Sequence, residues 1–149
     1  MQVKDLMTEK VISVSPETKV TEVAEILTKN RFHGVPVVRE GKVVGVITEG
    51  DFFSKDFQDL YLPTYIEVVK KKGHICLDES KESDIVKLLS LQAKNIMTPS
   101  FVAISPYVEL GRLLEIFQKT NFVSFPVTDK NNTLVGIITL SDVIKLFRV

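Results

Sequence analysis

The chain has 149 residues and a mass of 16.8 kDa, with 44% apolar and 26% charged side chains; this is enough to bury about two thirds of the surface its unfolded form exposes, without help from a metal or a disulfide. Lys plus Arg and Asp plus Glu number 19 each, so there is no cationic surplus to bind a nucleic-acid backbone by counterion release, and nucleic acid is not an expected partner. A single cysteine and two histidines argue against a disulfide framework or a conventional zinc cluster, while the absence of a long apolar run and the start MQVKDLMTEK predict a cytoplasmic protein with no membrane partner and no signal peptide.

In chain order, VISV at residues 11–14 is a short β-branched run, and Ser15-Pro16 reads as a helix opening with a capping hydroxyl and a proline at the first helical position. Val20, Val23, Ala24 and Leu27 recur at helical spacing, with Asn30 as the stop residue. VPVV and VVGVIT follow as two strands around a turn, and a second helix after Thr48 uses Phe52 and Phe53 for its buried side. The stretch 54–92 mixes the apolar LYLPTYIEVV with the polar KKKGH and DESKESD. A helix is expected over about 84–91, where Ile85, Leu88 and Leu89 share a face. Lys70, Lys71 and Lys72 read as solvated surface and His74 as loop. Cys76, with no CxxC partner, reads as an inert thiol.

The chain then repeats itself. VKDLMT is matched by AKNIMT, VISVSP by FVAISP, FHGVPVV by FVSFPVT and VVGVITEGD by LVGIITLSD. Met7 and Met97, like Pro36 and Pro126, are 90 positions apart, and Asp51 and Asp142 are 91 apart. The extra residue falls where REGK becomes TDKNNT, a turn that absorbs length without disturbing the strands beside it. In the second copy Leu110, Leu113, Leu114 and Phe117 form the first helical stripe, Asn121 stops it, and Val143, Ile144, Leu146 and Phe147 form the buried side of the last helix. The repeat of Met7 and Met97 is explained by packing. Each unit reads as β-α-β-β-α. A three-stranded sheet with both helices on one side leaves an apolar face open, and the duplicate covers it most simply by pseudo-twofold packing. The result is an α/β fold with a central cleft holding two related sites. The expected division is a first unit at 1–60, an intervening segment at 61–92 and a second unit at 93–149.

Thr48-Glu49-Gly50-Asp51 and Thr139-Leu140-Ser141-Asp142 stand where the last strand of each copy enters the last helix. One reading is a capping box, in which the carboxylate returns to the backbone N–H of the threonine. Another adds a ligand: the carboxylate accepts hydrogen bonds from a vicinal diol, while the hydroxyl and free helix N–H groups meet phosphate oxygens. A ribose followed by a phosphate suits the second reading, and the spacing by itself is compatible with both.

The paired order K-D-L-M-T, S-P, G-V-P-V, G-V-I-T-E-G-D and then K-N-I-M-T, S-P, F-P-V, G-I-I-T-L-S-D resembles a tandem pair of cystathionine-beta-synthase (CBS) domains, a Bateman module. The resemblance covers both copies. It implies a regulatory module that binds AMP, ADP, ATP or S-adenosylmethionine in its central cleft, needs no cofactor beyond that ligand, and pairs as a homodimer. By the same resemblance Asp51 and Asp142 match positions that hold ribose hydroxyls, and Thr48 and Thr139 the hydroxyl positions beside ribose or phosphate. Phe32 with His33, and Phe122 with Val123, match residues lining the base pocket, and the stretches Lys4 to Thr8 and Lys94 to Thr98 match its adenine side.

The copies differ at His33-Gly34 against Val123-Ser124 and at Glu49-Gly50 against Leu140-Ser141, so a basic or polar pocket and a more apolar one need not hold the same ligand. His33 has two readings, a donor or acceptor to ligand or a satisfied strand-edge imidazole. No Walker-type loop is present, and neither histidine can be set beside Cys76 as a base, so ligand binding without catalysis is expected, with no catalytic or metal site. No effector domain is recognisable; a response would pass to a separate protein, and a scaffold without a physiological nucleotide is the alternative.

Overall fold

A computed structural model describes residues 1–53 and 89–148. Most of the helix expected over about 84–91, together with Lys70, Lys71, Lys72, His74 and Cys76, lies outside them. In the first copy the elements are α1 (Val3–Leu6), α2 (Val20–Asn30), β1 (Gly34–Arg39), β2 (Lys42–Thr48) and a 3-10 turn at Glu49–Phe53. In the second they are α3 (Ala93–Ile96), α4 (Leu110–Thr120), β3 (Ser124–Thr128), β4 (Leu134–Thr139), α5 (Leu140–Ile144) and a 3-10 turn at Lys145–Phe147. The strands form two antiparallel hairpins, β1-β2 and β3-β4.

Local chemistry accounts for much of each hairpin. The first reverses at Glu40 (φ 52°) and Gly41 (φ 81°), two left-handed residues in succession, as a two-residue turn matched to strand twist demands. The second copy's longer turn is held by Asp129, whose Oδ1 accepts from the backbone N–H groups of Asn131 and Thr133 at 2.9 and 3.0 Å. The expected third strand shrinks to one parallel bridge per copy, Val14 with Val37 and Ile104 with Val127. Val14 still exchanges bonds with Pro36 O and Val38 N, at 3.1 and 2.8 Å, but pairing stops there.

The helices begin later than Ser15-Pro16 predicts. Ser15 and Thr18 close a local turn, with Thr18 N–H bonded to Ser15 O at 3.1 Å and Ser15 N–H to Thr18 Oγ1 at 3.0 Å, and α2 starts only at Val20. Neither long helix has a side-chain N-cap. Backbone carbonyls at or just before the start of the other copy replace it: Val20 N–H donates to Leu91 O at 2.9 Å and Leu110 N–H donates to Met1 O at 3.0 Å. At the C-termini the stop residues behave as turn chemistry requires, with Asn121 in the left-handed region at φ 58°, although in the first copy Asn30 is the last helical residue and Arg31 takes that conformation at φ 54°.

The two cores are interlocked through α1 and α3. A four-residue helix cannot persist on its own helical bonds, and each of these is held by the opposite copy. Val3 is fully buried among Ile104, Leu113, Phe117, Phe125, Val127, Ile138 and Val143, while Ala93 and Ile96 complete the core of Val14, Val20, Val23, Leu27, Val35, Val37, Ile47 and Phe52. The backbone follows the same exchange. Val3 and Lys4 N–H donate to Val108 and Pro106 O, and Ala93 and Lys94 N–H donate to Thr18 and Pro16 O, at 2.7–2.9 Å. Thr8 pairs with Ile137 and Thr98 with Val46, two bonds each. These matched contacts are the pseudo-twofold symmetry.

The same approach explains a glycine in each copy. A Cβ at Gly136 would stand 2.7 Å from Met7 Sδ and 3.0 Å from Thr8 O, and one at Gly45 would stand 2.8 Å from Met97 Sδ and 3.1 Å from Thr98 O.

The last helix corrects an expectation. Val143 is buried, but Ile144, Leu146 and Phe147 are exposed, Phe147 at 78%, because the core of the second copy is already closed by Val3, Ile138 and Val143. Leu114 likewise turns outward from α4, leaving Leu113 and Phe117 as its buried pair. In the first copy Phe52 is buried as expected.

The exchange makes Val3 a core residue of the opposite copy. Val3→Ala is expected to lower unfolding free energy by about 1–3 kcal/mol, measured by urea denaturation, with Gln2→Ala beside it as a smaller effect.

Candidate functional site

The two Thr-x-x-Asp motifs act as caps, each in its own way. At the second, Thr139 N–H and Thr139 Oγ1 both donate to Asp142 Oδ2 at 2.9 Å, and Asp142 N–H donates to Thr139 Oγ1 at 3.1 Å, closing the reciprocal capping box. Asp142 is buried, and its Oδ1 lies 3.5 Å from Lys145 Nζ. At the first, Thr48 N–H donates to Asp51 Oδ2 at 2.8 Å and Thr48 Oγ1 donates to it at 3.3 Å. Here the remaining oxygen is also occupied, since Thr98 Oγ1 donates to Asp51 Oδ1 at 2.9 Å. Thr98 reaches Asp51 because the α3 segment pairs with β2.

Two cavities flank these caps, and the exchange determines their walls. The larger, of about 420 Å³, is lined by Thr139, Ser141 and Asp142 of the second copy and by Thr8, Lys10, Val11, Ile12, Arg31, Phe32 and His33 of the first. Its size lies within the range of small-molecule sites, roughly 300–1,000 Å³. The smaller, of about 100 Å³, is lined by Thr48 together with Thr98, Ser100, Phe101, Val102, Phe122 and Phe125. Each cavity therefore joins the cap of one copy to the loops of the other.

The sequence-predicted residues divide accordingly. Phe32, His33, Val123, Thr139 and Asp142 meet at the larger cavity, whereas Thr48 and Phe122 line the smaller one. Asp51 lines neither of these two cavities; it is tied behind Thr48 and Thr98. Of the stretches Lys4 to Thr8 and Lys94 to Thr98, Thr8 and Thr98 line these two cavities, while Lys4 lies 5.3 Å over the ring of Tyr107. His33 is exposed, with Nδ1 3.7 Å from Glu49 Oε2. Lys10 and Arg31 were not among the expected site residues. Comparing the copies position by position would have found them, since Ser100 and Asn121 occupy the matching places.

Among the described residues no group of three or more His, Cys, Asp or Glu comes together to hold a metal ion, and none of their helices is long and apolar enough to cross a membrane.

Two interlocked α/β units with paired clefts define a class of domain, and comparison with known proteins identifies it: the CBS domain model matches residues 3–57 and 93–149. The chain belongs to the CBS domain family and is a tandem CBS pair. Protein MJ1225 of Methanocaldococcus jannaschii superposes with a TM-score of 0.76 at 26% identity, over 99% of this chain and 48% of that one, so the chain spans about half of this relative. CBSX2 of Arabidopsis thaliana, in complex with AMP, gives a TM-score of 0.70 at 23% identity, covering 97% and 94% of the two chains. The CBS domain pair of protein MJ0100, in complex with 5′-methylthioadenosine and S-adenosyl-L-methionine, gives 0.67 at 23% identity, covering 99% and 100%.

The capping role is separable from any ligand. Thr139→Ala removes the acceptor of Asp142 N–H and is expected to cost about 1 kcal/mol of stability, read as a lower denaturation midpoint in protein freed of small molecules.

Proposed function

We propose that this CBS pair is a regulatory module that binds an adenosine-containing ligand, with AMP, ADP, ATP and S-adenosylmethionine as candidates, and does not turn it over. The observation that carries the reading is the larger cavity, whose walls come from both copies and in which Asp142 presents a carboxylate fixed by Thr139. Asp142 Oδ2 is spent on the cap, whereas Oδ1 accepts no hydrogen bond among the described residues and can take a ribose hydroxyl. Val11, Ile12 and Phe32 supply apolar surface for a base. The AMP, methylthioadenosine and S-adenosylmethionine held by the two structural neighbours support the ligand class. In this reading residues 1–60 and 93–149 supply the two halves of the sensor and 61–92 the excursion between them.

A ligand bridging both copies can transmit a signal because its affinity depends on their spacing; a ligand bound equally well at every spacing would shift nothing. The exposed Leu140, Ile144, Leu146 and Phe147 support assembly as a homodimer, and the response then passes to a separate effector protein.

Native mass spectra of the purified protein, alone and with AMP, ADP, ATP or S-adenosylmethionine, report oligomer mass and bound ligand together. A defined adduct on a dimer is expected, and Asp142→Asn should weaken it about tenfold, the loss expected for one hydrogen bond to a charged group. Bare protein with every ligand, or an Asp142→Asn variant that binds as tightly as the parent, would reject the reading.

A further inference from the structure

The two cavities differ in charge as well as in size. Register between the copies sets Lys10 against Ser100, Arg31 against Asn121 and His33 against Val123. All three basic side chains belong to the first copy, and all three line the larger cavity. The smaller cavity has Ser100 at the position of Lys10, and its walls carry no basic side chain. The residue after its threonine is Glu49, where the other cap carries Leu140.

Two of the three bases are unengaged. Among the described residues Lys10 and Arg31 form no ion pair and their side chains donate no hydrogen bond, while His33 lies 3.7 Å from Glu49. The anionic group on the larger wall is Asp142, itself 3.5 Å from Lys145 Nζ. Arg31 also holds a left-handed backbone at φ 54°, a conformation that Asn121, at the matching position, is a residue type to tolerate.

We infer that the two clefts divide ligands by charge: the larger cleft, at Asp142, takes a phosphorylated adenosine ligand, with Lys10 and Arg31 as its phosphate contacts, and the smaller cleft, at Thr48, takes none. The inference rests on the proposed adenosine-binding function and adds the ligand's charge, its location and its number, one per chain. Two features close the smaller cleft to an anionic nucleotide. Thr98 already occupies Asp51 Oδ1, and Phe101, Val102 and Phe122 line a cavity of about 100 Å³ with no positive charge to offset a phosphate.

Isothermal titration with AMP and, separately, adenosine tests this on the full chain and on a Lys10→Gln/Arg31→Gln variant. Both side chains are exposed, so the variant should fold, and circular dichroism checks that it does. The parent is expected to bind one AMP per chain, more tightly than adenosine and more weakly as salt rises. The double substitution should reduce AMP affinity by about tenfold or more and leave adenosine affinity unchanged. Two AMP of equal affinity per chain, equal losses for AMP and adenosine, or no loss for AMP would overturn the inference while leaving adenosine binding intact. A parent protein that binds neither compound would reject the proposed function and this inference with it.

Discussion

The carbonyl of Met1 caps the first long helix of the second copy, and the carbonyl of Leu91 caps that of the first. These two bonds stand at the entrance of the reciprocal insertion that the rest of the molecule depends on. Helix ends leave backbone N–H groups that must find partners, and neither α2 nor α4 carries a side chain placed to serve. The partner comes instead from a segment whose next residues, Val3 in one case and Ala93 in the other, are fully buried in the receiving core. Capping and core closure are thus one event, and neither copy completes its own fold.

That constraint reaches the clefts. Because the α1 and α3 segments continue into Thr8 and Thr98, which pair with β4 and β2, the loops after them are delivered to the cap of the opposite copy. The caps themselves are stiff, since each aspartate is fixed by the backbone N–H and the hydroxyl of its own threonine. Part of the difference between the clefts therefore arises from what the loops deliver. One receives Lys10, Val11 and Ile12, the other Ser100, Phe101 and Val102.

Much of this was legible in the residues. The copy-to-copy match, the hairpin turn that absorbs the insertion, the stripes Val20-Val23-Leu27 and Leu113-Phe117, the stop at Asn121 and the Thr-Asp caps all follow from local periodicity or turn chemistry, and local rules govern them in the structure. What failed depends on distant partners. Ser15-Pro16 carries a helix-start signal, but Pro16 and Thr18 carbonyls are committed to Lys94 and Ala93, and the helix waits until Val20. Phe147 and Ile144 have the pattern of a buried face, yet periodicity identifies an apolar stripe without saying whether an occupied core remains to receive it. At the site, Asp51 and Asp142 look equivalent in sequence, and their partners separate them: Thr98 bonds the one, while Lys145 faces the other.

The exchange also bears on how such a chain can vary. A polypeptide with a single copy would leave a helix end uncapped and a core open, and a second identical polypeptide would remedy both by donating its own first turn. In that symmetric pair every substitution would alter two clefts at once. Joining the copies in one chain removes this coupling: Lys10 and Ser100, or Arg31 and Asn121, are inherited as separate positions. Covalent linkage thereby lets one pocket change its chemistry while its twin, built on the same scaffold, keeps another.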